Sequence, residues 1–188
     1  MEERLQGNPV SEGIAYAKSY IYIPGTLTKA PDFFPKGQEE EKYWEFRESC
    51  EKADSELVTL YNGMCKEDPD KAKIFSAHRE LLQDEEILDE IRETICEENM
   101  NPDSAVSKVY TEFAELLAGV EDPLIAERAA DLRDVRDRLL RILSGQETSK
   151  LSSFSEDVIL VAHDLLPSDT ATMDRKHIKG ILTEVGGV

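Results

Sequence analysis

The chain has 188 residues, with 40 Asp and Glu against 22 Lys and Arg, a formal net charge of −18 and 40% hydrophobic residues. It is too apolar for a disordered acidic tail, and its charge has the wrong sign for nucleic acid, whose phosphates require a basic face. No run of about 18 apolar residues is present to span a membrane, and residues 1–10 lack the basic and apolar regions of a signal peptide, so the default expectation is an acidic cytoplasmic protein.

Residues 1–35 read as strand and turn. Gly13 to Ala17 and Ser19 to Ile23 are rich in β-branched and aromatic side chains, and Pro24-Gly25 closes the second run. Pro31 and Pro35 then form a stiff linker.

From Gln38 to about Leu143 the apolar period becomes helical. Phe46, Cys50, Ala53, Leu57, Leu60 and Met64 make one stripe along a long helix. A second helix starts at Asp68-Pro69, a cap followed by proline at the first helical position. Its pattern allows two rotations, burying either Phe75, His78 and Leu82 or Ile74 and Leu81. Asp84 caps a continuation carrying Ile87, Leu88, Ile91 and Ile95. Asn101-Pro102 opens another helix, with Val106, Val109 or Tyr110, Phe113 and Leu117 inward. The last helix follows Asp122-Pro123, carries Ile125, Leu132, Val135, Leu139 and Ile142, and stops at Gly145. Long amphipathic helices with short connections predict an antiparallel bundle.

The charge is concentrated here. Residues 38–100 hold 20 acids and 8 bases, and Glu80 to Glu98 alone has nine acids against Arg92. A solvated helix face is the plain explanation, and a docking surface for a basic partner is the alternative.

After a polar stretch from Gln146 to Glu156, the run Asp157 to Ala162 predicts a fully buried strand. Ser168 caps a short helix through Met173, and Ile178 to Val185 predicts a further strand ending at Gly186-Gly187. The economical architecture is an α/β domain interrupted by helices.

No self-contained catalytic constellation is present. G-x-G-x-x-G, Walker, G-x-S-x-G and H-E-x-x-H patterns are all missing. Cys50, Cys65 and Cys96 have neither disulfide nor zinc spacing and read as reduced thiols. Asp174-x-x-His177 is isolated and does not make a metal site, while His78 and His163 read as structural or surface histidines. Arg128 falls on the apolar stripe of the last helix, so it is either buried in an internal salt bridge or exposed at a docking groove.

Four segments together resemble one family. Ser11-Glu12-Gly13-Ile14-Ala15 is similar to the opening S-P-G-I-A of bacterial enzyme I, the phosphoenolpyruvate–protein phosphotransferase of the sugar phosphotransferase system. Ile74 to Glu86 resembles its I-F-x-x-H-x-x-L-L-x-D-x-E segment, and Glu127 to Asp134 its E-R-A-A-D-x-R-D motif. Val158 to Ser168 resembles V-I-L-V-A-x-D-L-x-P-S. The likeness runs in order from about Leu5 to Val188, although Glu12, Ser76, Glu80 and Val188 depart from the family's usual residues.

The resemblance implies an antiparallel helical bundle, residues 36–145, inserted into an incomplete phosphohistidine-type α/β domain, residues 1–35 and 146–188. It implies that phosphoryl passes from phosphoenolpyruvate through a histidine to the small carrier HPr. That histidine lies in G-G-x-T-S-H, of which Gly186-Gly187-Val188 supplies the first three positions. It is therefore expected just beyond Val188, with no catalytic histidine inside the chain and no phosphorylation of this polypeptide by phosphoenolpyruvate. Magnesium, and dimerisation of the parent, are expected to belong to a separate C-terminal barrel. The implied HPr-docking residues are His78, Leu81, Asp84, Glu86, Ile87, Leu117 and Arg128. Open alternatives are a paralogue serving another carrier and a non-catalytic acidic helical adaptor.

Overall fold

The structure is a computed structural model and describes residues 7–22, 32–145, 151–165 and 167–185. The expected turn at Pro24-Gly25, the Pro31 end of the linker, the stretch 146–150 and Gly186-Gly187 lie outside the described residues. The elements run β1 (Lys18–Tyr22), α1 (Glu39–Met64), α2 (Pro69–Leu82), α3 (Glu85–Cys96), α4 (Pro102–Ala118), α5 (Pro123–Leu143), β2 (Val158–Ala162), α6 (Pro167–Thr172) and β3 (Ile178–Thr183). The result is mainly helical, with one small sheet. Two compact units emerge, the sheet with residues 7–22, 151–165 and 173–185, and the helices with residues 32–145 and 167–172.

The sheet is parallel throughout, in the order β1-β2-β3. Chain that leaves at the end of β1 thus returns, five helices later, to pair beside it. Residues 13–17, expected as a strand, have no regular structure, and pairing begins only where Lys18 meets Val158. In β2 the burial alternates: Val158, Leu160 and Ala162 are buried, while Ile159 and Val161 are only partly so. The expected continuous burial fails because one face is less covered than the other. Leu151 is fully buried, and Tyr20 meets Phe154 edge-on at 5.0 Å. Asp174 ties this unit together. Its carboxylate accepts from the Phe154 and Lys176 amides, each at 3.0 Å, and from His177 Nδ1 at 2.7 Å. The His177 contact above all, and the amides after it, hold its carboxyl well below the usual carboxylate range.

The helices begin where the local chemistry dictates. Asp68 accepts from the Asp70 and Lys71 amides with Pro69 at the first helical position, and Asp84 accepts from the Glu86 and Ile87 amides. Gly145, at φ 66°, supplies the left-handed residue after α5 that a side chain with a Cβ disfavours. One hydrophobic cluster joins the helices, built on Phe46, Phe75, Ile91, Val106, Tyr110, Leu132 and Leu139. Of the two rotations open to α2, the one burying Phe75, His78 and Leu82 is realised. On α5 Ala129 is buried, whereas Ile125, expected on the buried stripe, is 37% exposed. Arg128 consequently faces solvent, and the buried arginine of this helix is Arg138. The short α6 belongs with the helices, not with the sheet.

Two outcomes test these packings. Burial pushes the Cys50 thiol up to about 12, so in a timed reaction with a disulfide reagent Cys65 and Cys96 should react first. Cys50 should follow only on unfolding. Asp174→Asn should lower the melting temperature of the sheet unit at neutral pH. Because the folded carboxyl is held down, its stabilisation is present above the ordinary carboxylate range and is lost as pH falls through the folded value. Thermal melts of wild type and Asp174→Asn should therefore converge in strong acid.

Candidate functional site

The seven residues singled out from the sequence divide sharply. His78 and Ile87 are buried, at 0% and 3% exposure, and in this conformation offer no surface to a partner. Leu81 and Leu117 are half-buried against the same hydrophobic cluster, while Asp84, Glu86 and Arg128 are exposed. The accessible set is thus Leu81, Asp84, Glu86, Leu117 and Arg128. His78 and Ile87 lie beneath it. Both fall there for the same reason: their helices turn an apolar stripe inward, and each sits on that stripe.

The surface centres on the elbow between α2 and α3. Leu82 ends α2, Gln83 leaves the helical range, and Asp84 is extended at φ −63° and ψ 120°. The Asp84 side chain then restarts the chain as α3. Three helices hold the end of α2 in place. Asp54 of α1 accepts from Arg79 Nε at 2.7 Å and from Gln83 Nε2 at 3.1 Å. Tyr110 of α4 reaches the Leu81 carbonyl at 3.5 Å. From α5, Asp131 and Asp134 face the two ring nitrogens of His78, at 3.2 Å from Nε2 and 3.6 Å from Nδ1. Arg128 stands one turn before Asp131, which ties the start of α5 to the elbow.

A buried polar seam continues along α5. Arg138 donates to Glu56 of α1 at 2.9 Å, and Arg141 bonds the same carboxylate. Outside the seam the acids face water: all nine from Glu80 to Glu98 are exposed. Arg92, the base among them, is turned over the Tyr43 ring at 5.7 Å from its centroid. The elbow therefore presents half-buried Leu81 followed by exposed Asp84, Glu85 and Glu86, an apolar side chain with charged neighbours as at the edge of an interface. Sequence reasoning found Asp84, Glu86 and Leu81. It missed Asp54, Asp131 and Asp134 as the residues that set the elbow's position, since their partners lie 25 to 56 residues away in the chain.

On the sheet unit, His163 follows β2 and Glu184 follows β3, with Nδ1 and Oε2 2.7 Å apart in the open. Among the described residues no group of three or more His, Cys, Asp or Glu side chains is placed to hold a metal ion. Nor is any helix long and apolar enough to cross a membrane.

A mainly helical chain whose helices run between neighbouring strands of a small parallel sheet is a recognisable class. Residues 6–128 match the family described as PEP-utilising enzyme, N-terminal, and residues 154–188 match the PEP-utilising enzyme mobile domain. The chain belongs to the PEP-utilising enzyme family. It is 37% identical over its full length to the phosphoenolpyruvate-protein phosphotransferase of Priestia megaterium, covering 32% of that protein. It is 36% identical over 98% of its length to that of Bacillus subtilis, again covering 32%. The chain thus spans about a third of the length of these curated relatives. The solution structure of an enzyme I protein superposes with a TM-score of 0.77 at 34% identity, over 91% of this chain and 69% of that one. The N-terminal domain of a nitrogen-type enzyme I, at 23% identity and a TM-score of 0.66, shares the fold. The resemblance to enzyme I read from the sequence motifs is borne out.

Asp84 has two separable roles, cap and surface charge. Asp84→Ala should cost about 1 kcal/mol through loss of the cap, whereas Asp84→Asn should stay within roughly 0.5 kcal/mol because an asparagine oxygen still accepts the amides. Denaturant titration of both variants checks this.

Proposed function

We propose that this chain is the carrier-docking, N-terminal part of a phosphoenolpyruvate–protein phosphotransferase, with its helices serving as an antiparallel module inserted in a phosphohistidine-type α/β domain. The observation that supports this best is the elbow itself, where half-buried Leu81 is followed by exposed Asp84 and Glu86, with Leu117 half-buried on α4 and Arg128 exposed on α5. A basic phosphocarrier of the HPr type, with a small apolar patch, complements that surface. Apolar contact supplies the dwell time, and the acids raise the encounter rate. In the parent the phosphoryl group passes from phosphoenolpyruvate through a histidine to the carrier. Magnesium and the dimer contact belong to the parent's other domain, and no step of this chain runs through the metal. The setting is the cytoplasm.

Titration of the isotope-labelled chain with HPr should shift amides around 81–87, 117 and 128. Shifts confined elsewhere, or none at millimolar carrier, would overturn the reading. The double variant Asp84→Asn, Glu86→Gln should slow association about three- to tenfold at low salt and lessen its salt dependence, with dissociation little changed. Stopped-flow mixing measures both rates.

A further inference from the structure

Away from the elbow, the helical unit holds a cavity of about 710 Å³ that the docking reading does not use. α3 runs 12 residues from the elbow, about 18 Å, before the loop that lines it. Asp32 and Phe33 form one wall, the α3–α4 loop and the first turns of α4 a second, and the end of α5 a third. The first two walls are joined through the backbone. The Phe34 amide donates to the Asn99 carbonyl and the Asn101 amide to the Asp32 carbonyl, each at 2.9 Å. Successive side chains of an extended segment point to opposite sides. Phe34 accordingly packs into the hydrophobic cluster, while Phe33 lines the cavity and is 58% exposed. With Met100, Pro102 and Leu143 it makes the lining mainly apolar, and the Ser104 and Ser107 hydroxyls are among its few polar groups. Volume and lining are those of a small-molecule site.

The charged side chains of the lining favour one sign of ligand. Both of its lysines are already engaged: Lys42 Nζ meets Glu45 at 2.7 Å, and Lys108 Nζ meets Glu98 at 3.1 Å. An incoming anion would compete with those carboxylates, in a chain whose net charge is −18. Asp103 is placed differently. It is half-buried in the first turn of α4, and its carboxylate has no hydrogen bond or ion pair among the described residues. The helix dipole favours a carboxylate at that position, and a cationic group in the cavity would give it a direct partner. An aromatic wall such as Phe33 also attracts a cation rather than an anion.

We propose that this cavity binds a small organic cation, an apolar body of one ring or a short alkyl chain bearing a single amine or guanidine, with its charged group at Asp103 and its body covering Phe33 and Leu143. None of these residues lies at the elbow, so the inference stands apart from the docking reading. Such a ligand touches the 32–34 segment, α4 and the end of α5 together. Binding the folded arrangement alone, it would also tighten the attachment of that segment to the α3–α4 loop.

Three probes sharing one apolar body, 3-phenylpropylamine, 3-phenylpropanol and 3-phenylpropionate, test this by NMR titration of the isotope-labelled chain. The amine should shift the amides of Phe33, Met100, Ser104 and Leu143 saturably. It should bind about three- to fivefold more tightly than the alcohol, the worth of one partly exposed ion pair, and the carboxylate should bind most weakly. No saturable shift at these residues, shifts spread over the acids of α3 instead, or a carboxylate that binds as tightly as the amine would each overturn the site. Asp103→Asn should abolish the amine's advantage and leave the alcohol's affinity unchanged. An advantage that persists would overturn the ligand class. Ser107→Trp, a change at an exposed lining position, should block the amine, and binding that survives it would overturn the cavity as the site. Should either variant fail to fold, the comparison of the three probes on the wild-type chain still decides the proposal.

Discussion

The meeting of α2 and α5 across His78 governs more of the helical unit than any other contact. Around it the chain buries polar groups that are unfavourable in an apolar interior unless each finds its partner. Two aspartates and two arginines lie within three turns of α5, and their partners come from α2 and α1. Hydrophobic contact alone would tolerate a helix sliding or turning by a fraction of a residue. Directional polar contacts at 2.9 to 3.2 Å would not. The seam thus selects one packing among many that bury similar apolar area, and Phe75, Leu132 and Leu139 then fill the space that packing defines.

The elbow follows from that selection. Asp84 ends one helical direction and begins another because its carboxylate satisfies amides that a new helix leaves open. A cap fixes where the break falls but not which way the new helix points. Direction comes from the anchoring of α2, by Asp54 on one side and by the α5 aspartates on another. Ile87 and Ile91 then drop into the common cluster, leaving Glu85, Glu86, Asp89 and Glu90 outward. An acidic surface is the outer face of the same amphipathic helix whose inner face is core.

How much of this was legible in the sequence depended on how local each cause was. Asp68-Pro69, Asp84 and Asn101-Pro102 act within a turn of themselves, and the helices begin where those residues predicted. The rotation of α2 stayed ambiguous because two apolar stripes run along it, and only packing against α1 and α5 chooses between them. Arg128 was placed on a stripe by counting from Ile125, yet Ile125 and Arg128 are both exposed and the neighbouring Ala129 is the buried one. The strand expected at residues 13–17 has suitable side chains but no neighbour to pair with among the described residues. Of the candidate site, the exposed acids and Leu81 could be read directly. The aspartates facing His78 could not, since nothing in residues 131–134 points to a partner 53 or 56 positions earlier.

Charge therefore does two different jobs in this chain, separated by depth. Below the surface it is paired where Arg138 meets Glu56, because an unmatched charge there opposes folding. On the surface of α3 it is left unmatched, and folding tolerates this because water and salt screen like charges at little cost. An unmatched field that merely kept the protein dispersed could lie anywhere. Here its densest stretch coincides with the elbow that three helices hold in place, beside leucines that remain half-exposed. Holding an elbow by contacts from three helices gains nothing for solubility, but it does preserve a shape. The conjunction of a held edge, an apolar side chain and an exposed acidic rim is what the docking proposal rests on, over a merely solvated face.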